Sequence, residues 1–374
     1  MITSRVVFGS LGLCCFLLAY LLFWPIAAEP VAWDAPQAPG YVGVFEPNDR
    51  LSRLEIQSLG AFHGPEDIVA WEEAGALVLY SSTQTGQILK IDPAQQSAEV
   101  FTETGGVPLG MEVDARGNLV VADAHAGLLS IAPDGTVSVL TDQAGGLPVV
   151  YADDLDIAEN GVIYFSDAST KFSAEEAGST LKASVLEIFE HARTGRILSY
   201  DPKTDKTEVV QDGLSFANGV AMGPEDQSIF VAETGKYRIL RLFVSGPRNG
   251  EIVPVFENLP GFPDNINRGP FLEDGRQTYF FGLAGPRLPL ADKLSDKPYW
   301  RRVILRLPEF LHPAPKRYGF VAQFAEDGEI IQTWQDPEGA YPTTTGAVLA
   351  PDGNLYVTSL EAHGLARLPY AEGE

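Results

Sequence analysis

A short motif rich in carboxylate and amide side chains recurs along the chain, each time just before a segment of alternating apolar residues. It reads GPEDI at Glu66, YADDLDI at Asp153, FANGV at Asn218 and FPDNI at Asp264. Alternation with a period of two predicts a β-strand after each motif. In a radially repeated fold, equivalent positions surround one axis. These side chains are therefore expected to meet at the centre of a β-propeller.

Six copies of one repeat unit can be aligned along the chain, anchored at positions 66, 110, 154, 218, 264 and 344. Three of the five intervals are 44 to 46 residues long, close to the length of one propeller blade. The two longer intervals hold insertions at about Lys171–His191 and Pro286–Pro315. The first insertion is predicted to be helical on either side of Gly178, and both are expected to cap the rim that carries the site. The predicted fold is an all-β, six-bladed β-propeller over residues 29–374.

The N-terminus contains an uncharged apolar stretch, Val6–Phe23, which follows Arg5. The stretch is longer than a usual signal-peptide core and is long enough to cross a bilayer as one helix. Residues 1–28 are therefore predicted to form a transmembrane signal-anchor, with the propeller on the exported side of the membrane. Cleavage after Ala27-Ala28, which would give a secreted protein, is the open alternative.

The formal net charge of −24 and the lack of a basic stripe exclude a nucleic-acid partner. The same charge argues against electrostatic docking on anionic lipid. The sequence has no G-x-S-x-G, P-loop, G-x-G-x-x-G, CxxC or HExxH motif. A serine nucleophile elbow, a nucleotide-binding loop and a thiolate-bound zinc site are therefore not predicted.

The recurring carboxylates and amides are hard oxygen donors, the type of ligand that Ca²⁺ prefers. A single Asp or Asn before a strand is well explained as a turn cap. Several of them at equivalent repeat positions favour a divalent cation in the central tunnel. Asp167 and Glu233, at the ends of neighbouring strands, are interpreted as structural.

Longer stretches of the chain resemble the strictosidine-synthase-like proteins. The most specific of these stretches are FANGVA, AETGKYRILR and PGFPDNI, and the resemblance covers almost everything after about residue 40. With its N-terminal apolar stretch, the chain is most similar to the branch of adipocyte plasma membrane-associated proteins. The resemblance implies a six-bladed propeller in a superfamily that includes paraoxonases and gluconolactonases, which hold a catalytic divalent metal.

The resemblance also implies roles for individual residues. The metal ligands implied are Glu66, Asp153, Asn218, Asp264 and Asn265. Asp153 stands where paraoxonases have asparagine, and its extra negative charge is expected to tighten cation binding and to weaken Lewis acidity. The second residues of the acidic pairs, Asp67 and Asp154, match the ligands of a second, structural calcium ion. His125 falls roughly at the position of an active-site histidine, although a plain turn histidine beside Gly127 is the alternative.

The expected function is a Ca²⁺-dependent hydrolase that acts on a small-molecule ester or lactone. Water would be activated by His125, or by the carboxylate of Asp153 or Asp264. The first alternative is a non-catalytic, membrane-tethered binding module with a structural metal. A lyase like the alkaloid-forming strictosidine synthases is disfavoured, because the last-blade segment Thr343–Val348 lacks the glutamate that those enzymes use.

Overall fold

The computed structural model describes residues 12, 15–73, 75–313 and 315–371. This part of the chain forms six four-stranded antiparallel sheets and one two-stranded ribbon. The innermost strands of successive sheets pack against one another around a ring, and the strand of the sixth sheet contacts that of the first. The prediction of an all-β, six-bladed propeller is therefore confirmed.

Each blade runs from an inner strand beside the central tunnel to an outer strand at the periphery. Blade 1 consists of Ile68–Glu73, Ala76–Ser82, Gln87–Asp92 and Ser97–Glu103, and blade 2 of Pro108–Val113, Leu119–Asp123, Gly127–Ile131 and Val137–Thr141. Blade 3 consists of Ala152–Ile157, Ile163–Asp167, Gly195–Asp201 and Lys206–Leu214, and blade 4 of Ala217–Met222, Ser228–Glu233, Arg238–Phe243 and Ile252–Phe256. Blade 5 consists of Gly261–Phe271, Gln277–Pro286, Gly319–Ala325 and Ile330–Asp336. The ribbon pairs Gln143–Ala144 with Leu147–Pro148.

Blade 6 closes the ring with strands from both ends of the chain. Its three inner strands are Thr344–Leu349, Asn354–Ser359 and Gly364–Pro369, and its outer strand is Glu55–Ser58. The closing pair is antiparallel, with Glu55 opposite Arg367. Closure covers the edge that an open sixth blade would expose.

Apolar and aromatic side chains fill the spaces between neighbouring blades. Between blades 4 and 5, Phe230 packs on Tyr279 with ring centroids 4.6 Å apart, and Phe324 meets both rings at 5.4 and 5.3 Å. Such contacts bury the face that a single blade cannot cover alone. They fix the position of each inner strand, and therefore of the tunnel residues.

The first insertion is helical as predicted, with helices Ala174–Ala177 and Thr180–Glu190. Gly178 ends the first helix in the left-handed region at φ 85°, which glycine adopts without steric cost. Ser173 and Ser179 cap the two helices by accepting hydrogen bonds from the backbone N–H of Glu176 and Lys182.

The second insertion is also helical, which the sequence analysis did not predict. It contains helices Pro289–Lys293 and Pro298–Leu305 and a 3₁₀ turn at Glu309–Leu311. We call the two insertions together the cap. Further 3₁₀ turns lie at Gly43–Phe45, Arg50–Arg53, Pro224–Asp226, Thr234–Lys236 and Gly246–Arg248.

The N-terminal segment reaches the propeller across the cap. Residues 15–23 are helical. Further on, the backbone N–H of Val31 donates to the Glu190 carbonyl at 2.8 Å, and that of Trp33 donates to the Ser295 carbonyl at 3.1 Å. Within the described part of the chain, no helix is long and apolar enough to cross a membrane. Residues 1–11, 13 and 14 of the predicted signal-anchor lie outside the described residues, so the anchor stays a prediction.

Candidate metal centre

Four of the five predicted ligands lie at irregularities in the inner strands, whereas Glu66 lies just before the inner strand of blade 1, whose register is regular. In blades 2 to 6 the register between the inner strand and its neighbour shifts at the motif position, for example between Ala152 and Leu155, Ala217 and Val220, and Pro263 and Ile266. A β-bulge turns a side chain away from the regular alternation, and bulges are common beside active sites. The bulges direct carboxylates and amides into the tunnel.

Glycine lets the inner strands approach one another beside these bulges. A Cβ atom on Gly219 would lie 2.3 Å from the Asp264 carbonyl oxygen, and one on Gly110 would lie 2.3 Å from Asp154 Oδ1. No real Cβ atom tolerates such distances without displacement of its neighbours. The two glycines thus allow the close convergence that brings distant ligands together.

The structure brings the five predicted ligands together at one end of the tunnel. Asn218 Nδ2 donates to Asp264 Oδ1 at 2.7 Å, and Asn265 Nδ2 donates to Glu66 Oε1 at 2.8 Å. Asp153 belongs to the same cluster, because its charge acts on the carboxyl groups of Glu66 and Asp154. Each of the five residues is at most 5% exposed.

Four of these five residues have a buried oxygen without a hydrogen-bond partner among the described residues. The atoms are Glu66 Oε2, Asp153 Oδ2, Asn218 Oδ1 and Asn265 Oδ1. A buried oxygen without a partner costs about 1–3 kcal/mol, or more when it is charged. Four such oxygens in one cluster fit a cation that accepts all of them as ligands.

The protonation of the carboxyl groups supports the same interpretation. Burial, and then the charge of Asp264 before those of other carboxylates, raises the pKa of Glu66 well above its usual value. Burial and the charges of Asp264 and Asp167 raise the pKa of Asp153 in the same way. Burial raises the pKa of Asp264 to about 7, although the hydrogen bond from Asn218 lowers it. Without a cation, therefore, the cluster is stabilised by bound protons.

The donor set is compatible with a hard cation. Among the described residues, no group of three or more His, Cys, Asp or Glu side chains is arranged to hold a metal by itself. A site here therefore needs the amide oxygens of Asn218 and Asn265 in addition to the carboxylates. A mixture of carboxylate and amide oxygens without thiolate or imidazole is typical of calcium rather than zinc.

The predicted ligands of a second ion have no unpartnered oxygen. Asp67 accepts hydrogen bonds from the backbone N–H of Met111 at 2.8 Å and from Asn267 Nδ2 at 3.3 Å. Asp154 accepts from the N–H groups of Val220 and Leu155, each at 2.8 Å. In this structure both carboxylates connect one blade to the next, and a second ion at Asp67 and Asp154 stays a prediction.

His125 lies on the same rim as the cluster but forms no hydrogen bond with it. It follows strand Leu119–Asp123, whose last residue pairs with Pro108 at the start of the inner strand. Its backbone N–H donates to Asp123 Oδ1 at 2.9 Å. Its Nε2 atom is buried and has no partner within the described part of the chain. A catalytic role of His125 stays a prediction.

Tyr151 and the cap cover the cluster, a feature that the sequence analysis missed. The Tyr151 hydroxyl donates to the carbonyl of Thr180 in the cap at 3.1 Å. Burial, together with the charges of Asp153, Asp264 and Glu66, raises the Tyr151 pKa well above its usual value. Thr180 also donates to Gln84 Oε1 of blade 1 at 3.1 Å. The signal in the sequence that could have revealed this contact is that Tyr151 lies two residues before Asp153.

Asp167 and Glu233 have the structural role that was predicted for them. Asp167 pairs with the buried Arg196 at 2.8 Å. Glu233 pairs with Arg238 at 2.6 Å and accepts from the N–H of Ser215 at 2.9 Å. Both carboxylates are therefore neutralised by arginine and are not available as metal ligands.

Comparison with known proteins identifies the family. The family model "Strictosidine synthase" matches residues 153–247, and "Strictosidine synthase-like, N-terminal" matches residues 43–91. Adipocyte plasma membrane-associated protein of Salmo salar is 30% identical over 393 residues, covering 97% of this chain and 90% of the relative. The chain belongs to the strictosidine synthase-like family.

Other members of the strictosidine synthase-like family show similar identity. Adipocyte plasma membrane-associated protein of Homo sapiens is 30% identical over 370 residues, which cover 93% of this chain and 85% of that protein. Strictosidine synthase-like 13 of Arabidopsis thaliana is 30% identical over 334 residues, which cover 85% and 77%. The names of the animal relatives are consistent with membrane association.

Solved structures of more distant proteins share the fold of this family member. A gluconolactonase from Xanthomonas campestris has a TM-score of 0.59 at 17% identity, covering 91% of this chain and 98% of that chain. Regucalcin, a calcium-binding protein from Agrobacterium tumefaciens, has a TM-score of 0.57 at 12% identity, covering 85% and 94%. At such identities the likeness shows the propeller fold alone.

Proposed function

We propose that this family member is a divalent-metal-dependent hydrolase of carboxylic esters or lactones. The observation that carries the proposal is the cluster of four buried oxygens without partners at the mouth of the tunnel. Gluconolactonases and a calcium-binding protein occur among the solved structures with the same fold. Calcium is the cation that best fits a carboxylate and amide donor set.

Glu66, Asp153, Asn218, Asp264 and Asn265 would hold the cation. When bound, a divalent cation supplies a Lewis acid that polarises a carbonyl oxygen and stabilises the oxyanion. The protein contributes the fixed positions of the ligands. Asn265 is held by its donation to Glu66, and Asn218 by its donation to Asp264.

His125 is proposed as the group that takes a proton from water. Its Nε2 atom is buried and has no partner among the described residues, so it is free to accept a hydrogen bond. Imidazole has a pKa near neutrality, which suits a general base. Asp153 and Asp264 are the alternative bases, since both carboxylates lie within the cluster.

The surroundings of the site favour an apolar substrate. Leu109, Tyr151, Phe172 and Phe216 belong to one buried apolar group that joins three blades to the cap. Tyr151 and Phe216 are in edge contact, with centroids 5.5 Å apart. A hydrophobic acyl or aryl group would replace these contacts when the cap moves aside, whereas a sugar lactone would leave hydroxyl groups without partners.

The test is an assay of the full-length protein in detergent micelles with phenyl acetate and a panel of lactones. The expected result is turnover that chelator abolishes, that Ca²⁺ restores, and that is lost in Asn265→Ala. Asn249→Ala, which changes an exposed asparagine on blade 4, is the matched control and should retain activity. Equal turnover with and without chelator, or an unchanged rate in Asn265→Ala, would refute the proposal.

A non-catalytic binding module is the second candidate, and the closed site favours it. Each of the five ligands is at most 5% exposed, so a metal could serve the fold alone. In that case Ca²⁺ would raise the melting temperature, but no ester or lactone would be turned over. For either function, we propose a membrane location with the propeller on the exported side, as the apolar N-terminus predicts.

A further inference from the structure

Large apolar side chains are exposed together on the cap and on the N-terminal segment beside it. Phe310, in the 3₁₀ turn of the second insertion, is 84% exposed, the highest value among the exposed large apolar residues. We define the cap patch as the exposed residues Phe23, Trp24, Leu181, Tyr299, Trp300, Phe310 and Leu311. A contiguous apolar surface of this kind usually marks an interaction site.

Polar contacts hold the three parts of the cap patch next to one another. Lys182, beside Leu181, forms an ion pair of 2.9 Å with Glu309, beside Phe310. The Tyr299 hydroxyl donates to the Leu22 carbonyl at 3.4 Å. The first insertion, the second insertion and the N-terminal segment therefore present one surface.

The cap patch lies on the face of the propeller that contains the candidate metal centre. The first insertion leaves blade 3 after Asp167, which pairs with Ala152 next to Asp153. The second insertion leaves blade 5 after Pro286, which pairs with Gly261 a few residues before Asp264. Both insertions thus start at the edge where the metal-ligand positions lie.

Buried arginines of the second insertion attach the N-terminal segment to the same face. Arg306 donates to the Trp24 carbonyl at 2.6 Å and to the Leu21 carbonyl at 3.0 Å. Arg301 donates to the Phe189 carbonyl at 2.7 Å and also to the Val31 carbonyl. The helical residues 15–23, the described end of the apolar stretch, therefore lead directly into the cap patch.

The charge of the second insertion differs from that of the rest of the protein. The second insertion and the three residues after it, 286–318, contain eight Lys and Arg but only three Asp and Glu, whereas the whole chain has a net charge of −24. Three of these arginines, Arg287, Arg301 and Arg306, are buried. Lys293, Lys297, Lys316 and Arg317 are exposed. Exposed aromatic residues favour the membrane interface, and exposed basic residues on the same segment favour anionic lipid headgroups. Although the whole chain is acidic, this local surface is basic and therefore favours anionic lipid.

We propose that the cap patch docks on the surface of a bilayer that contains anionic lipid, so that the tunnel mouth faces the membrane. Aromatic rings enter the interface, and the exposed basic residues of segment 286–318 bind the headgroups. This inference depends on the cap and on the N-terminal segment, and not on a metal in the candidate centre. It adds a preferred orientation to the expected membrane attachment.

The test uses the full-length chain with Cys14 and Cys15, its only cysteines, replaced by serine. A single cysteine is then introduced as Phe310→Cys on the cap or as Phe271→Cys at the far end of the blade 5 inner strand. Phe271 is a matched control, because it is also an exposed phenylalanine, at 67%. Each variant carries an environment-sensitive fluorophore and is reconstituted into phosphatidylcholine vesicles with or without phosphatidylserine and with brominated lipid.

The expected result is a blue shift and quenching by brominated lipid at position 310 but not at position 271. Quenching should increase with phosphatidylserine and decrease with added salt. The double variant Lys316→Glu, Arg317→Glu, which changes only exposed side chains, should remove the effect of phosphatidylserine. Equal fluorescence at positions 310 and 271, or a label at 310 that stays in water, would overturn the proposal. Either result would favour a protein partner, or a second copy of this chain, as the occupant of the cap patch.

Discussion

The side-chain amide of Asn265 donates a hydrogen bond of 2.8 Å to the carboxylate of Glu66, although the two residues are 199 positions apart. The bond connects blade 5 to blade 1 across the tunnel. It leaves Asn265 Oδ1 and Glu66 Oε2 buried without partners among the described residues. The pair is therefore positioned in the metal-free protein, with one free oxygen on each side chain for a cation.

The stability of the metal-free protein should decrease as pH rises from 6.5 to 8, above the range in which His191, whose pKa burial lowers to about 3, acts in the opposite direction. Burial raises the pKa of Asp264 to about 7 and that of Asp67 to about 6, both above the value of about 4 for an unfolded chain. Folding therefore takes up protons, and the stability gained below the unfolded pKa is lost as pH rises through the folded values. Thermal melts in chelator should show this decrease.

Calcium should reverse that pH dependence. A bound cation replaces the protons, so the rise in melting temperature on adding Ca²⁺ should be larger at pH 8 than at pH 5. A melting temperature in chelator that rises between pH 6.5 and 8 would contradict the proposed electrostatics of the cluster.

Replacement of His125 should separate catalysis from stability. His125→Gln should lower kcat by about 10²–10⁴-fold, the usual contribution of a general base. The melting temperature should be nearly unchanged, because the buried Nε2 atom has no hydrogen-bond partner among the described residues. His363→Gln, which changes an exposed histidine, is the control. Full activity in His125→Gln would assign the base to Asp153 or Asp264.

Gly219→Ala should disrupt the cluster without removing a ligand. The added methyl group would lie 2.3 Å from the Asp264 carbonyl oxygen and 2.6 Å from the Ile266 nitrogen. Overpacking of this kind costs about 1–3 kcal/mol, and it should separate Asn218 from Asp264. Calorimetry should show weaker Ca²⁺ binding together with a lower melting temperature. If this variant bound Ca²⁺ with wild-type affinity, the close approach of the inner strands would not determine the geometry of the site.

Arg301→Met should release the N-terminal segment from the cap. The guanidinium donates to the carbonyls of Phe189, Val31 and Ser295, and their loss should cost at least about 2 kcal/mol. Limited proteolysis should then cut faster near residues 24–36. Arg302→Met, which changes the partly exposed neighbour, is the matched control. Equal cleavage of the two variants would contradict the role of Arg301 in attaching the N-terminal segment to the cap.

The ring and the convergence of the candidate ligands were predictable because both follow from the repeat. Equivalent positions of a radial repeat converge, so Glu66, Asn218 and Asp264 could be placed together before any distance was known. The helices around Gly178 were also predictable, because two helix-favouring stretches separated by a glycine are a local signal. Each of these predictions uses a local sequence pattern, the repeat unit in the first case and a turn of helix in the second.

Non-local pairings were not predictable in the same way. The outer strand of blade 6 pairs Glu55 with Arg367, and nothing in the four residues Glu55–Ser58 specifies so distant a partner. The contact of Tyr151 with Thr180, and those of Arg301 and Arg306 with the N-terminal backbone, depend on how the insertions fold over the rim. Side-chain contacts to backbone carbonyls leave no pattern in the sequence, because any residue type supplies the carbonyl.

Calcium binding to the full-length protein tests the central claim most directly. After exhaustive chelation, titration calorimetry in detergent micelles should compare the wild type with Glu66→Gln. That variant keeps a side-chain oxygen for the Asn265 hydrogen bond but removes one charge from the cluster. Ca²⁺ should bind the wild type with release of protons, and should bind the variant more weakly by on the order of tenfold. No calcium binding to the wild type, or equal affinity in both proteins, would contradict it.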